Sequence, residues 1–219
     1  MKKLLIFLSV FFISFPAFSQ IEQGQHIVGG NLGLGFQLQN SGIQYSNSGS
    51  KLDWGTLGVD YGINYHYVLV PHFALGAEIS GGSYDGADLT FSNSDKTNDT
   101  VKLFRAMVSA RLIANPESRA RFYIPFGLGL NCADQDIEID YSGAKYNGNK
   151  TYNSLGWFLG AGLEFDVGNS GWSWGLETRY NVFTYDTDKL VSNAPAPITG
   201  DGKRKYEYMN FMLSISKRF

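Results

Sequence analysis

The stretch that most constrains the fold is the last one, Tyr206 to Phe219. Met209, Phe211, Leu213, Ile215 and Phe219 share one parity, and Tyr208, Asn210, Ser214, Ser216 and Arg218 share the other. Side chains alternate faces along a strand, so this segment shows one apolar and one mostly polar face. Left unpaired, such a strand is an aggregation-prone edge. Pairing it with the first strand closes a barrel and removes the edge.

Seven earlier segments repeat the pattern. The apolar parity runs through Gly30 to Leu38, Leu57 to Tyr67, Phe73 to Ile79, Phe104 to Leu112, Phe122 to Leu130, Leu155 to Phe165 and Trp172 to Val182. Short turns at Pro71-His72, Asn115 to Ser118 and Gly168 to Gly171 alternate with longer connectors. The longer ones cover Gln39 to Ser50, Asp85 to Asp99, Asp134 to Asn149 and Asp186 to Lys203. The expected fold is all-β, an eight-stranded antiparallel transmembrane barrel of meander topology. Pro125 sits on the inner parity, where a missing ladder donor predicts a local bulge.

Which face meets water is decided by size. Asp60, Glu78, Arg105, Arg111, Glu164, Glu177 and Arg179 lie on the polar parity, together with many glycines and serines. The Trp, Phe, Tyr and Leu side chains lie on the other. An eight-stranded barrel has a narrow interior, so the bulky apolar parity belongs outside and faces lipid. Tyr65, Tyr67, Phe73, Phe122, Phe165, Trp172, Trp174 and Phe219 gather at the short-turn end as an interfacial aromatic girdle. Phe36, Phe104 and Trp157 form a thinner band at the other end. Short turns and both termini are then expected in the periplasm and the long loops outside the cell.

The N-terminus supports export. Lys2 and Lys3 precede an apolar run from Leu4 to Phe15, and small residues precede a cut after Ser19. Residues 1–19 are read as a signal peptide and 20–219 as the barrel domain. The apolar run is shorter than the ~20 residues a membrane-spanning helix needs. A formal net charge of −2 offers nothing to a nucleic acid. The single cysteine, Cys132, cannot form an internal disulfide, and no zinc-type Cys/His spacing is present.

Gly160-Ala161-Gly162-Leu163-Glu164-Phe165, Gly175-Leu176-Glu177-Thr178-Arg179-Tyr180 and the terminal Phe219 carry a family resemblance along the mature chain. The sequence resembles the small outer-membrane barrels of the OmpA/OmpX-type porin superfamily, especially the outer membrane protein beta-barrel and PorT-like families. The resemblance implies that Phe219 is part of the signal read by the barrel-assembly machinery. For PorT-like members it implies assistance to protein secretion.

Asp60, Glu78, Arg105, Glu177 and Arg179 fall at similar heights near mid-barrel and are expected to form a lumenal ion-pair network, since buried charges are costly unless paired. That network is either a rigid plug or a gate to a narrow pore. Asp134, Asp136, Glu138 and Asp140 alternate, so the fifth strand is expected to run past the membrane with an acidic stripe, either a solvated face or a site for divalent cations. Lys203-Arg204-Lys205 could meet lipopolysaccharide phosphates. His26, His66 and His72 map to the short-turn end without an outward Ser/acid partner, which argues against an enzyme. No cofactor is expected. The reading is a monomeric outer-membrane barrel with a structural or interaction role. Its partners would be membrane lipid, the assembly machinery and, in a secretion role, an envelope protein.

Overall fold

The computed structural model describes residues 20–38, 44–45, 57–85, 89–90, 96–141, 144–186, 198–199 and 202–219. The signal-peptide segment lies outside the described residues. Eight long strands follow one another around a closed barrel: β1 (His26–Gln37), β3 (Leu57–Val70), β4 (Phe73–Asp85), β6 (Lys96–Ile113), β7 (Ala120–Tyr141), β8 (Ala144–Asp166), β9 (Trp172–Asp186) and β11 (Lys203–Arg218). Short strands β2 (Gln44–Tyr45) and β10 (Ile198–Thr199) pair with each other, tying the β1–β3 loop to the β9–β11 loop. Short strand β5 (Leu89–Thr90) adds to the outer part of β6. Every long strand pairs antiparallel with its neighbours in sequence, and β1 pairs with β11 from Ile27↔Arg218 to Gln37↔Tyr208. The terminal strand therefore has both edges satisfied.

The turns follow from local chemistry. Asn115 fastens the β6–β7 turn: its Nδ2 donates to the Ala120 carbonyl at 2.6 Å and its Oδ1 accepts from the Phe122 amide at 2.8 Å. The β8–β9 turn puts Gly168 at φ 61° and Gly171 at φ 74°, conformations that side chains with a Cβ disfavour. Close approach also requires glycine on the inner wall, and Gly58 is an example. A Cβ on Gly58 would lie against the Tyr84 ring and 2.7 Å from the Ser83 carbonyl.

The expected outward parity is the exposed one, except at Val182 and Ala110, both of which are buried. Ile63 is 66% and Leu213 62% solvent-accessible, values normal only for an apolar surface that meets lipid or a partner. Ala110, expected outward, is buried, because it is small and lies between Leu75 and Phe126 across its two ladders. The bulge expected at Pro125 is absent. The β7–β8 register is the same at Tyr123↔Gly162 and Phe126↔Leu159, and Pro125 stays opposite Arg111 on the β6 side. Gly160 makes room: a Cβ there would stand 3.1 Å from the proline ring. The register shift in this region of the barrel is instead at Val68/Val70, beside the β3–β4 turn.

In the segment Asp134 to Asn149, read as a connector, β7 runs on to Tyr141, as the alternating acids predicted, and the departure from expectation is that β8 begins already at Ala144. β7 spans 22 residues and β8 23, twice the ~9–11 that cross a bilayer. β6 accompanies them up to Lys96↔Asp140. In this extension the polarity of the faces inverts. Lys102, Asp134, Asp136, Glu138, Asn149 and Thr151 take the outward parity, while Val101, Leu103, Ala133, Ile137 and Tyr152 are buried inside. Outside the membrane water wets the convex face, so the apolar residues move to the concave one. β8 also parts from β9 beyond Gly156↔Phe183, and Tyr152 bridges the gap by donating to the Asp186 carbonyl at 2.9 Å.

Candidate functional site

The inner wall supplies the only concentrated chemistry among the described residues, and it is arranged in layers. Starting nearer the long loops, Asp60 on β3 forms an ion pair with Arg105 on β6. The same carboxylate accepts from the Tyr84 hydroxyl and, at 2.5 Å, from Asn210 Nδ2. Arg105 also donates to the Tyr208 hydroxyl and, at 3.3 Å, to Asn181 Oδ1. Asn181 in turn donates to Asn210 at 3.1 Å. Asp60 is completely buried, so its charge is carried by these donors alone.

In the next layer Arg179 on β9 pairs with Glu78 on β4 at 2.5 Å and with Glu177 on its own strand. Two residues apart on a strand, Glu177 and Arg179 share the inner face and can touch. The guanidinium also covers the Phe158 ring at 4.3 Å, and Tyr123 donates its hydroxyl to Glu177 at 2.6 Å. The five residues singled out from the sequence are thus all inward and all engaged in ion pairs, but they form two separate groups, Asp60–Arg105 and Glu78–Arg179–Glu177.

A third group, at the short-turn end, was only partly visible in the sequence. Arg111 meets Glu164 at 3.6 Å, Arg121 meets Glu164 at 2.7 Å and also Asp166, and Arg218 meets Asp166 at 2.5 Å. Arg121 and Arg218 stand at strand ends, where parity does not say whether a long side chain turns into the lumen or along the rim. Among the described residues, the ion-paired lumenal groups are five arginines and five carboxylates, so the lumen carries no net charge. Neutrality is what a low-dielectric interior demands of buried ions.

Apolar material closes the column at both ends. Toward the long loops, Phe183 stacks on Tyr206 at 4.8 Å between centroids, and Tyr84, Tyr185 and Tyr208 make edge contacts with Tyr206 or with one another. These aromatics were missed because they sit on the polar parity. Tyr206 and Tyr208 two apart, with Phe183 and Tyr185 on the neighbouring strand, were the available signal. At the short-turn end Ile21 folds into the mouth. It is 2% exposed, donates its amide to the Pro116 carbonyl at 3.0 Å and packs with Ile27, Val68, Ala74, Ile113 and Tyr123. Ile21→Ala is expected to cost about 2 kcal/mol, the low end for a buried isoleucine because the residue lies outside the strand ladders. Urea unfolding in lipid vesicles, followed by tryptophan fluorescence, measures it; a loss below ~0.5 kcal/mol, surface-like behaviour, would remove Ile21 from the seal.

The girdle residues Tyr65, Tyr67, Phe73, Phe122, Phe165, Trp172, Trp174 and Phe219 lie on the outward parity around the short-turn rim. Phe165 stacks on Trp174 at 4.7 Å, and the Lys217 ammonium lies 5.5 Å from the Trp172 ring and 5.8 Å from that of Phe219. Phe219 is itself held in the ladder by reciprocal hydrogen bonds with His26 at 3.0 and 3.1 Å. His26 binds the Tyr65 hydroxyl at 2.8 Å and His72 the Ile113 carbonyl at 2.8 Å. His66 meets Ser109 at 3.1 Å, but both are buried in the lumen and no acid partners the other ring nitrogen. On the outer extension, Asp134 accepts from Thr151 at 3.1 Å and Asp136 from Asn149, while the side chain of Asp140 lies outside the described residues. No group of three metal-ligating side chains occurs among the described residues.

A model of the outer membrane protein beta-barrel domain matches residues 5–219. The chain belongs to that family. It is an outer-membrane β-barrel protein. Among solved structures, the outer membrane protein OprG from Pseudomonas aeruginosa matches with 12% identity and a TM-score of 0.56, covering 92% of this chain and 98% of that one. This likeness is one of fold. Neisserial surface protein A matches at 14% identity, 90% and 98% coverage and a TM-score of 0.46. Ail, the attachment invasion locus protein of Yersinia pestis, matches at 14%, 90%, 99% and 0.46. No curated protein matches the sequence.

Proposed function

We propose that this outer-membrane β-barrel protein is a non-enzymatic, non-conducting scaffold that works through its long-loop side. The observation that carries the reading is the filled lumen, charge-neutral over three layers and capped by aromatic and aliphatic side chains at either end. A pore needs a continuous wet path. Here Arg105, Arg111, Arg121, Arg179 and Arg218 are each held by a carboxylate within the barrel. The projecting β6–β8 blade, polar outside and apolar inside, is the part built for contact with the exterior. In this orientation the short turns and both termini face the periplasm, as the girdle at the short-turn rim supports. Phe219, exposed at that rim, is placed where the assembly machinery could read it.

Planar-bilayer recording tests the reading. Wild type is expected to be silent, and so are Arg105→Ala and Arg179→Ala, because the charge layers left intact and the end seals block in series. Steady single-channel conductance from the wild type would replace the scaffold by a pore. Conductance from either variant alone would replace it by a gate. Pull-down in mild detergent separates a scaffold from a secretion accessory, since the latter is expected to bring a stoichiometric envelope partner.

A further inference from the structure

Residues 20–25 form a strap across the short-turn mouth. Ile21 donates its amide to the Pro116 carbonyl at 3.0 Å, Gly24 donates to the Val68 carbonyl at 2.9 Å, and the Val68 amide donates back to the Gln25 carbonyl at 2.9 Å. Gly24 bends the strap at φ 91°, a left-handed conformation that favours glycine. Glu22 donates its amide to Gln25 Oε1 at 3.2 Å, which closes the bend on itself. Ile21 is the only apolar side chain in this stretch and the only one of its residues that is buried. Gln20, Glu22 and Gln23 are exposed.

The anchor therefore stands next to the expected start of the exported chain, since a cut after Ser19 leaves Gln20 as the first residue. A glutamine in that place carries a nucleophile and an electrophile within one residue, held close enough to react without a second molecule. The α-amine nitrogen attacks its own Cδ and forms the N–Cδ bond of a five-membered lactam. The Cδ–Nε2 bond breaks, and Nε2 leaves as ammonia with a proton from the amine. Atoms and electrons balance with no oxidant, reductant or further reactant. The strap accepts the product. Gln20 is exposed, so the ring meets water and not the barrel wall. The Ile21 amide is not part of the ring and keeps its bond to Pro116.

We propose that Gln20 is a modification site: the exported chain begins there, and its first residue closes to pyroglutamate. The lactam has no free α-amine, so an aminopeptidase finds no terminus to hold. That protection matters because the strap has a single apolar anchor. Loss of Gln20 makes Ile21 the next residue to be removed, and with Ile21 goes the seal over Ile27, Val68, Ala74, Ile113 and Tyr123. The inference rests on the cut after Ser19 and not on whether the lumen conducts.

The test uses the protein purified from the outer membrane of the cell that makes it. Free amines are methylated on the denatured chain before digestion, so a ring that closes later is not counted. Mass spectrometry of the N-terminal peptide is expected to show a chain that begins at Gln20, is lighter than the glutamine form by one ammonia and carries no methyl group on its terminus. A methylated Gln20 terminus overturns the ring and leaves the cut. A terminus at another residue overturns the cut and the ring with it. Gln20→Asn, made in the same cell, is the matched variant, because its shorter side chain can close only a strained four-membered ring. In detergent, an aminopeptidase is expected to trim Gln20→Asn several-fold faster than the wild type. Equal trimming overturns the protective role even where the ring is found.

Discussion

Replacing Arg179 by leucine is expected to lower the unfolding free energy by about 3–5 kcal/mol, the cost of removing one partner from a buried ion pair. The size follows from what is left behind. Glu78 and Glu177 both depend on this guanidinium, and both are buried. Glu177 keeps the Tyr123 hydroxyl at 2.6 Å. Glu78 fares worse, because its second oxygen has no partner among the described residues. Two like charges would then share a narrow lumen with no ion-pair partner in contact with either among the described residues. Adding Glu78→Gln and Glu177→Gln to Arg179→Leu should recover most of the loss, since neutral amides remove the repulsion. Urea titration in vesicles, with the shift between folded and unfolded bands on unheated gels as readout, measures both. A loss under ~1 kcal/mol, ordinary for a mutation outside such a network, would mean that the layer is not the buried network described.

The second large effect belongs to the opposite face. Leu213→Arg is expected to cost about 2–4 kcal/mol, the value for a cation at the bilayer midplane. Leu213 is 62% exposed and lies between Leu32 and Leu176 in the middle of the wall. On a water-facing surface the same substitution would fall within about ±0.5 kcal/mol. Asn147→Arg is the matched control. It is also exposed and outward, but on the β8 extension, and it faces Glu138 across the ladder. A small effect at Asn147 beside a large one at Leu213 locates the upper boundary of the hydrocarbon. Equal small effects would contradict a lipid-facing wall.

These two substitutions also show what could be read in advance. The outward leucines and aromatics were legible because lipid imposes one rule on every strand, with apolar groups on one parity for the whole crossing. Glu78 and Arg179 were legible by the same rule, as charges on the other parity. Which carboxylate meets which arginine was not. That depends on how far each strand is staggered around the closed wall: Arg105, opposite Ser80, stands one same-face rung from Glu78 and yet pairs with Asp60. The β7–β8 extension was legible only in part, for a related reason. The alternation of Asp134, Asp136 and Glu138 pointed to a strand running past the membrane, but the partner residues 144–149 read as connector, because the rule changes sign where the membrane ends and a strand obeying both rules in succession has no single apolar parity. Pro125 misled through its missing donor. Gly160 opposite it absorbs the ring, and the partnership of those two positions exists only once β7 and β8 are in register.

The terminal strand holds both lessons. Its alternation by itself determined that one face of Tyr206–Phe219 must meet an apolar medium and that its edges needed partners. Every residue is tied to its neighbours by period two, so the face assignment follows from sequence order alone. Only the tertiary structure decided that Tyr206 and Tyr208 cap a charged column and that Arg218 reaches Asp166. Those relations join residues far apart in the chain. They arise from the register and closure of the barrel, which no local pattern encodes.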